Sequence, residues 1–352
     1  MFKMSRLNST RTSDVVVIGA GLIGLAIALE LNDRGAQVTV IDRGQSLAGA
    51  STAAAGMLAA DDPGNPSELR ELSRLSAERY PAFLDRLEAL SGIAVPFQTD
   101  STVQYLEDGS TLRLAEHSLD PRQLAEALRA AVNATSIRLL EHTQIAAIDQ
   151  EARSQNARGA TIQLSGGPAI ATRAIVYAAG AWTAEVMAAL DGDPISITPC
   201  KGQMLRVRLA FPLNEVHRSE RIYICPRTRG PQAGTALIGA TVQDAGFDTS
   251  VHAVDLDALR ALAAKLIPEL ISEAAAPMVE SWAGLRPATT DRLPILGACS
   301  RPGQFIATGH YRNGILQAPG TALVMADLLQ GKVPAIDLSA LSPLRFVCSA
   351  TV

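Results

Sequence analysis

Residues 19–24 read Gly19-Ala20-Gly21-Leu22-Ile23-Gly24, a G-x-G-x-x-G run set between the apolar stretch Val15-Val16-Val17-Ile18 and an amphipathic stretch that opens at Leu22. A second apolar stretch, Gln37 to Ile41, ends at Asp42, about twenty residues on, which is the spacing of a strand-helix-strand unit that holds a dinucleotide. Each glycine has a mechanical duty in such a unit. Gly19 makes the tight turn, Gly21 lets the backbone approach a pyrophosphate, and Gly24 lets helix and strand pack closely. The helix N–H groups that begin at Leu22 and Ile23 face the phosphates, and Asp42 supplies the acidic residue of the fingerprint.

With 352 residues, 47% of them hydrophobic, the chain is long enough for about two domains with a substantial core. Lys plus Arg (31) nearly balance Asp plus Glu (35), so the extended positive field that nucleic acid demands is missing and no nucleic-acid partner is expected. Cys200, Cys225, Cys299 and Cys348 are far apart and lack C-x-x-C spacing. They indicate neither a metal site nor a disulfide framework, and a reducing cytoplasm fits them. The first dozen residues are polar and read as a loose tail without an export signal. Val15 to Leu29, the longest uncharged apolar run, is shorter than the ~20 residues a membrane span needs and is broken by three glycines.

Along the chain, Leu22 to Arg34 reads as a helix stopped by Gly35. Ser67 to Leu90 has the periodicity of one or two surface helices. Val103–Leu106 and Thr111–Leu114 predict two short strands joined by Asp108-Gly109. Asp120-Pro121 caps a helix carrying Leu124, Leu128 and Ala131, and Ile137–Leu140 returns to strand. Ala174 to Trp182 is an apolar strand ending in small residues, where backbone can approach a flat ligand at Ala179 and Gly180. Ile195 to Val242 is β-rich, Leu256 to Ile271 reads as one helix, and beyond Glu280 the pattern is loop, strand, loop and a final helix after Pro319.

Further strings make the dinucleotide more specific. Asp42-Arg43-Gly44 is followed by Ser51-Thr52-Ala53-Ala54-Ala55-Gly56-Met57; later come Trp282-Ala283-Gly284-Leu285-Arg286-Pro287, with Asp291 and Pro294, and Gly309-His310-Tyr311-Arg312-Asn313-Gly314-Ile315-Leu316. From about Asp14 to Gly331 the chain resembles the FAD-dependent amine and D-amino-acid oxidase family, and within it the glycine oxidases of thiamine biosynthesis. The resemblance implies an α/β fold, with a Rossmann-like FAD-binding domain (13–65, 118–190 and 283–335) and a discontinuous antiparallel substrate domain (66–117 and 191–282). Cofactor contacts are expected at Gly19, Gly21, Leu22, Ile23, Gly24, Asp42, Arg43, Ser51, Thr52, Ala55, Gly56, Met57, Ala179, Gly180 and Trp182, and again at His310, Arg312, Asn313, Gly314, Ile315 and Leu316. Sarcosine oxidases of the superfamily tether flavin through a cysteine that Arg286 replaces here, so the FAD is expected to be non-covalent.

A small amino acid offers little apolar area, so its carboxylate must orient it, and a planar arginine fork suits that task. The resemblance gives this role to Arg286, with Tyr223 donating its hydroxyl and Arg312 nearby as a second positive group. The residues alone also allow surface arginines with packed stems and a tyrosine that only packs. His310 reads as a hydrogen-bonding loop residue rather than an acid or base. The implied reaction takes the amine of glycine or another small amino acid to the imine, oxygen accepting the electrons, and a homo-oligomer would be ordinary for the family. Two rivals are a D-amino-acid dehydrogenase that passes electrons to a quinone and a flavin-binding protein without turnover. The turn Arg229–Gly234 is longer than is usual for the family.

Overall fold

The structure, a computed structural model, describes residues 11–150 and 159–346; Cys348 and the first ten residues of the expected N-terminal tail lie outside them, while Arg11 and Thr12, expected in that tail, instead pair with Ile170 and Ala171 at the start of a strand. The chain opens with β1 (Arg11–Ile18), α1 (Leu22–Asp33), β2 (Val38–Ile41), the one-turn α2 (Ala50–Ala53) and the long α3 (Arg70–Ser91). Then come the hairpin β3 (Thr102–Tyr105) and β4 (Thr111–Leu114), α4 (Pro121–Asn133), β5 (Arg138–Leu140), β6 (Ile145–Gln150), β7 (Ala160–Leu164), β8 (Ile170–Tyr177) and α5 (Thr183–Ala189). The second half holds β9 (Thr198–Arg208), β10 (Val216–Arg218), β11 (Tyr223–Arg227), β12 (Thr235–Gly239), β13 (Gln243–Asp244) and α6 (Ala253–Ala263). It closes with β14 (Met278–Ala288), β15 (Ile295–Ala298), β16 (Gln304–Thr308) and α7 (Gly314–Leu329).

Two sheets result. The first has the order β15-β16-β8-β1-β2-β5, parallel from β16 to β5, and the β6–β7 hairpin extends it beside β8. Val16 and Val17 are fully buried, one toward each face, as a doubly covered parallel strand requires. Expected to be amphipathic, α1 is instead buried on nearly every side, because α4 and α7 cover the surface that the sheet leaves free. Residues 70–91 pack with that helical layer against α7 and α4, while 102–114 join the second sheet, so the segment grouped above as 66–117 is divided between the two sheets. The second sheet runs β9-β12-β11-β10-β3-β4, with β14 on the outer side of β9 and β13 continuing the line of β12. All its pairs are antiparallel except β10 with β3.

Three expectations change. Trp282–Pro287 lies within the 11-residue strand β14, paired with β9 from Ala288↔Thr198 to Met278↔Val207, and not in a loop. The helix expected over Leu256–Ile271 ends at Ala263; Pro268 starts a separate 3-10 turn, and buried Arg260 takes the carbonyls of Leu270 and Ala276 at 3.1 and 2.8 Å. The last helix, expected after Pro319, begins at Gly314 with Pro319 inside it. The long turn 229–234 closes the β11–β12 hairpin at the Arg227↔Thr235 end, away from Tyr223↔Gly239.

Proline inside a helix removes one amide and disturbs the turn before it. In α7 the two carbonyls left over are taken by α3: the Tyr80 hydroxyl donates to Ile315 O at 2.5 Å and the Ser76 hydroxyl to Leu316 O at 2.6 Å. Ser76 Oγ in turn accepts from Gly320 N at 2.9 Å. A Cβ at Gly320 would stand 2.9 Å from that of Ser76, so the helices approach as closely as they do only because residue 320 has none. Replacing Tyr80 by Phe orphans a buried carbonyl and should destabilise the fold by about 1–3 kcal/mol. In a Pro319→Ala background the restored amide can take up Ile315 O, and the same substitution should cost less. A double-mutant cycle by urea unfolding checks this, and equal costs in both backgrounds would refute it.

Candidate active site

A cavity of about 1060 Å³ lies between the first sheet and the second. At its first-sheet end stands the glycine turn. Gly19 has φ +112°, and a Cβ there would meet Ala178 O at 2.4 Å. At Gly21 a Cβ would have only Ser51 Oγ within 4 Å, at 3.6 Å, so this backbone is bare toward the cavity it lines. Ser51 Oγ accepts from Leu22 N at 3.0 Å. Asp42 holds the turn to β2: its Oδ2 accepts from Ala20 N at 2.7 Å and its Oδ1 from Gly44 N at 2.8 Å. Arg43 lies over the Trp182 ring at 5.3 Å, and the other partner of that ring is Phe247, stacked at 5.5 Å.

The far wall is one face of the second sheet. Strand register aligns Gln104, Arg218, Tyr223, Gly239 and Met204 in a single row across β3, β10, β11, β12 and β9, and all five line the cavity. The opposite face, with Leu205, Ile224 and Ile238, is buried with Leu256 and Leu259 of α6. Two glycines make room on the cavity side. A Cβ at Gly239 would lie 2.5 Å from the Tyr223 hydroxyl, and one at Gly202 would lie 2.1 Å from Nη2 of Arg286. Arg286, on β14, donates from Nη1 to Thr241 O at 3.1 Å and forms no ion pair among the described residues. Burial raises the Tyr223 hydroxyl pKa, with Arg286 and Arg312 opposing that rise, so the group stays a hydrogen-bond donor.

The two sheets meet through segment 53–57. Trp282 Nε1 donates to Ala53 O at 3.1 Å, Arg227 Nη2 donates to Ala55 O at 2.7 Å, and a Cβ at Gly284 would overlap that of Ala53 at 2.5 Å. At the third corner α7 starts without a side-chain cap, so its first amides and its positive dipole end lie open beside Gly314 and Ile315, which line the cavity. Asn313 donates to Asn65 Oδ1 at 3.1 Å and ties this start to the 61–66 loop.

Of the residues nominated from sequence, all line the cavity except Gly24, Thr52 and Leu316. Gly24 serves packing, since a Cβ there would lie 2.0 Å from Gly19 O. Thr52 Oγ1 donates to Leu47 O at 3.2 Å, and the Leu316 side chain is buried in the helical core. Sequence reasoning passed over Gln104, Arg218, Met204 and Asp62, which also line the cavity. The one signal for Arg218 was its period-two alternation with Val216 on a three-residue strand. Cys200, Cys225 and Cys299 do not line the cavity.

A bare glycine turn, an uncapped helix start and a wall with an unpaired guanidinium fit a large anionic group with a flat ring. Comparison with known proteins names that group. The DAO family, described as FAD dependent oxidoreductase, matches residues 14–117 and 109–328. The chain belongs to this family. FAD is therefore its cofactor and redox catalysis its activity. The glycine oxidase of Geobacillus kaustophilus is 34% identical over 96% of this chain and 98% of its own length. A crystal structure of glycine oxidase from that organism superposes with a TM-score of 0.86 at 31% identity, covering 95% of this chain and 98% of the other. A bifunctional ThiO/ThiG protein of Nostoc sp. is 34% identical over 90% of this chain, which spans 53% of that protein. Among the described residues no helix is long and apolar enough to cross a membrane.

In this DAO-family site His310 is 3% exposed, its Nε2 lies 3.0 Å from Thr321 Oγ1, and burial lowers its pKa to about 3. The unfolded chain's imidazole protonates near pH ~6.5. Between the two values unfolding takes up a proton, so this stabilisation is complete above the unfolded pKa and is lost as pH falls toward the folded one, by up to about 1.4 kcal/mol per pH unit. The melting temperature of the wild type should therefore fall more steeply on acidification below pH ~6.5 than that of His310→Gln. Parallel curves would remove His310 as the titrating group.

Proposed function

We propose that the enzyme oxidises the amine of glycine or another small amino acid to the imine, with oxygen reoxidising the flavin to give hydrogen peroxide. The observation that carries this reading is Arg286, seated over Gly202 beside the Tyr223 hydroxyl, with a hydrogen bond only to a backbone carbonyl. An unpaired guanidinium at the wall of a flavin cavity suits a carboxylate, which it grips with two charge-assisted hydrogen bonds. Tyr223 adds a donor to the same group, and exposed Arg312 adds positive charge at the rim. The glycine oxidases of Geobacillus kaustophilus and of Pseudomonas putida, the latter 30% identical over 94% of this chain, support glycine as the substrate. The ThiO/ThiG relative supports a role in supplying thiazole synthesis. The cytoplasm suits such an enzyme, and a homo-oligomer is the expected assembly.

FAD supplies the hydride acceptor. The first sheet and its helices would hold it: the bare turn at Gly19–Gly21 and the open amides at Gly314 and Ile315 would take its negative groups, and Arg43 and Trp182 would add contacts at the first-sheet end. The second sheet would orient the amino acid, with Arg286 and Tyr223 holding its carboxylate. The amine must be neutral when its α-hydrogen leaves, and a cavity floored by Met204 and Gly239 disfavours the ammonium. No side chain is needed as a base, and His310, engaged with Thr321, is too weak to serve as one.

Losing a charged hydrogen-bonded pair costs about 1.5–3 kcal/mol, so Arg286→Ala should raise KM for glycine about tenfold to a hundredfold or more while bound FAD is retained. Gly202→Ala, whose methyl group would displace the guanidinium, should act in the same direction. The measurement is anaerobic bleaching of the flavin band by glycine, sarcosine, D-alanine and D-proline, followed by readmission of air. A flavin that none of them bleaches would overturn the reading, and one that bleaches but is not restored by air would favour a dehydrogenase with another acceptor.

A further inference from the structure

Arg286 reaches across β9, over Gly202, and its guanidinium is anchored on the far side by the hydrogen bond from Nη1 to Thr241 O at 3.1 Å. On a long, flexible stem, a guanidinium held in this way points where its anchor directs it. Thr241 itself does not line the flavin cavity; it borders a separate hollow with Asp255 and Leu259 of α6. It stands between β12 and β13 at an irregularity in their pairing with β9. Gly239 pairs with Met204 and Gln243 with Lys201, so the three residues 240–242 lie against only two, 202 and 203. An extra residue of this kind bends a strand and re-aims the groups beside it. Here the carbonyl of Thr241 leaves the ladder and meets Arg286.

A bulge alone leaves the direction of that carbonyl loosely set, and the Thr241 side chain removes the freedom. Its Oγ1 accepts from Gln203 N at 2.8 Å and donates to Gln243 Oε1 at 3.3 Å, while Thr241 N donates to Gln203 O at 3.2 Å. Gln203 is fully buried and spends its whole amide on the same support: Nε2 donates to Gln243 Oε1 at 2.9 Å and to Asp255 Oδ2 at 2.5 Å, and Oε1 accepts from His252 N at 2.7 Å. Gln243 Nε2 completes the ring by donating to Asp255 Oδ2 at 3.1 Å. Asp255 lies in the first turn of α6, a helix seated by Leu256 and Leu259 in the core of the second sheet. A buried polar network whose members are matched in this way admits one arrangement. None of Gln203, Gln243 and Asp255 lines the flavin cavity, so the network acts on a ligand there only through Thr241 and Arg286.

We infer that Thr241 is a positioning residue for substrate binding: its hydroxyl, locked by Gln203 and Gln243, aims the carbonyl that holds Arg286 in place for the substrate carboxylate. This rests on the amine-oxidising reading given above. The test is anaerobic reduction of the FAD-loaded enzyme over a range of glycine concentrations, which separates the apparent Kd of glycine from the limiting rate of flavin reduction. Thr241→Val keeps the shape of the side chain and loses its hydroxyl. It should raise the apparent Kd about threefold to tenfold and leave the limiting rate within about twofold, with FAD retained, because a displaced guanidinium weakens the grip on the carboxylate without touching the ring. Thr241→Ser, which keeps the hydroxyl, should bind glycine as the wild type does. In an Arg286→Ala background Thr241→Val should have no further effect on the apparent Kd, since the route to the substrate is already gone, whereas a general loosening of the fold would add to the loss. Gln243→Leu, at a half-buried position, should act in the same direction as Thr241→Val and carries the test if that variant does not fold. An unchanged apparent Kd, a loss confined to the limiting rate, or an equal loss with and without Arg286 would overturn the role of Thr241. Glycine binding that is indifferent to Arg286→Ala, or a flavin that glycine does not reduce, would instead sink the parent reading.

Discussion

The site depends on what is missing from three neighbouring positions of the second sheet. Gly202 and Gly284 face each other across β9 and β14, and Gly239 lies diagonally from Gly202 on β12. Without side chains there, Arg286 and Tyr223 can lie across the strands instead of projecting from them, and Ala53 can come down onto β14. A methyl group at any of the three would enter a space of 2.1–2.5 Å that a side chain already fills. Those glycines therefore set both the height of the cavity and the direction of the group that reads the carboxylate. The hydrogen bonds from Trp282 and Arg227 to the carbonyls of Ala53 and Ala55 then fix the first sheet's segment against this surface.

On the opposite wall the constraint is a proline. If α7 began after Pro319, its amide end would be more than one turn removed from the cavity. It begins at Gly314 because α3 supplies hydroxyls at the two carbonyls that the proline leaves unmatched. The electrostatic use of α7 thus depends on a pair of side chains some 240 positions earlier in the chain.

This explains which parts were readable in advance. The glycine turn, α1 with its stop at Gly35, the Asp120 cap and the Asp108-Gly109 hairpin are local devices: the residues that cause them are adjacent in sequence, and the turn and cap appear as read. The strings around Arg286 and His310 carried the family. What escaped was set by distant partners. Pro319 looked like a start because Ser76 and Tyr80 could not be foreseen, and α1 looked one-sided because its outer cover comes from two helices later in the chain. Arg218 was passed over because a three-residue strand shows barely one alternation, and because its meaning lies in Gln104, Glu116 and Asp62, none of which is near it in sequence.

Arg286 and Arg218 share one face of one sheet and flank the same tyrosine, yet their surroundings give them different chemistry. Arg286 is half-buried, tied only to a backbone carbonyl, and keeps its full charge for a ligand. Arg218 spends its charge on Glu116 and Asp62, and its Nη atoms are enclosed by the wall. A guanidinium with its charge balanced braces the wall, whereas one without a counter-ion is left to attract a ligand's negative charge. Of the two guanidiniums beside Tyr223, Arg286 is thus the one left to read a carboxylate in the cavity. That separation of tasks follows from the two carboxylates at Asp62 and Glu116, which neutralise Arg218 within the wall and leave the reading of a ligand's charge to Arg286.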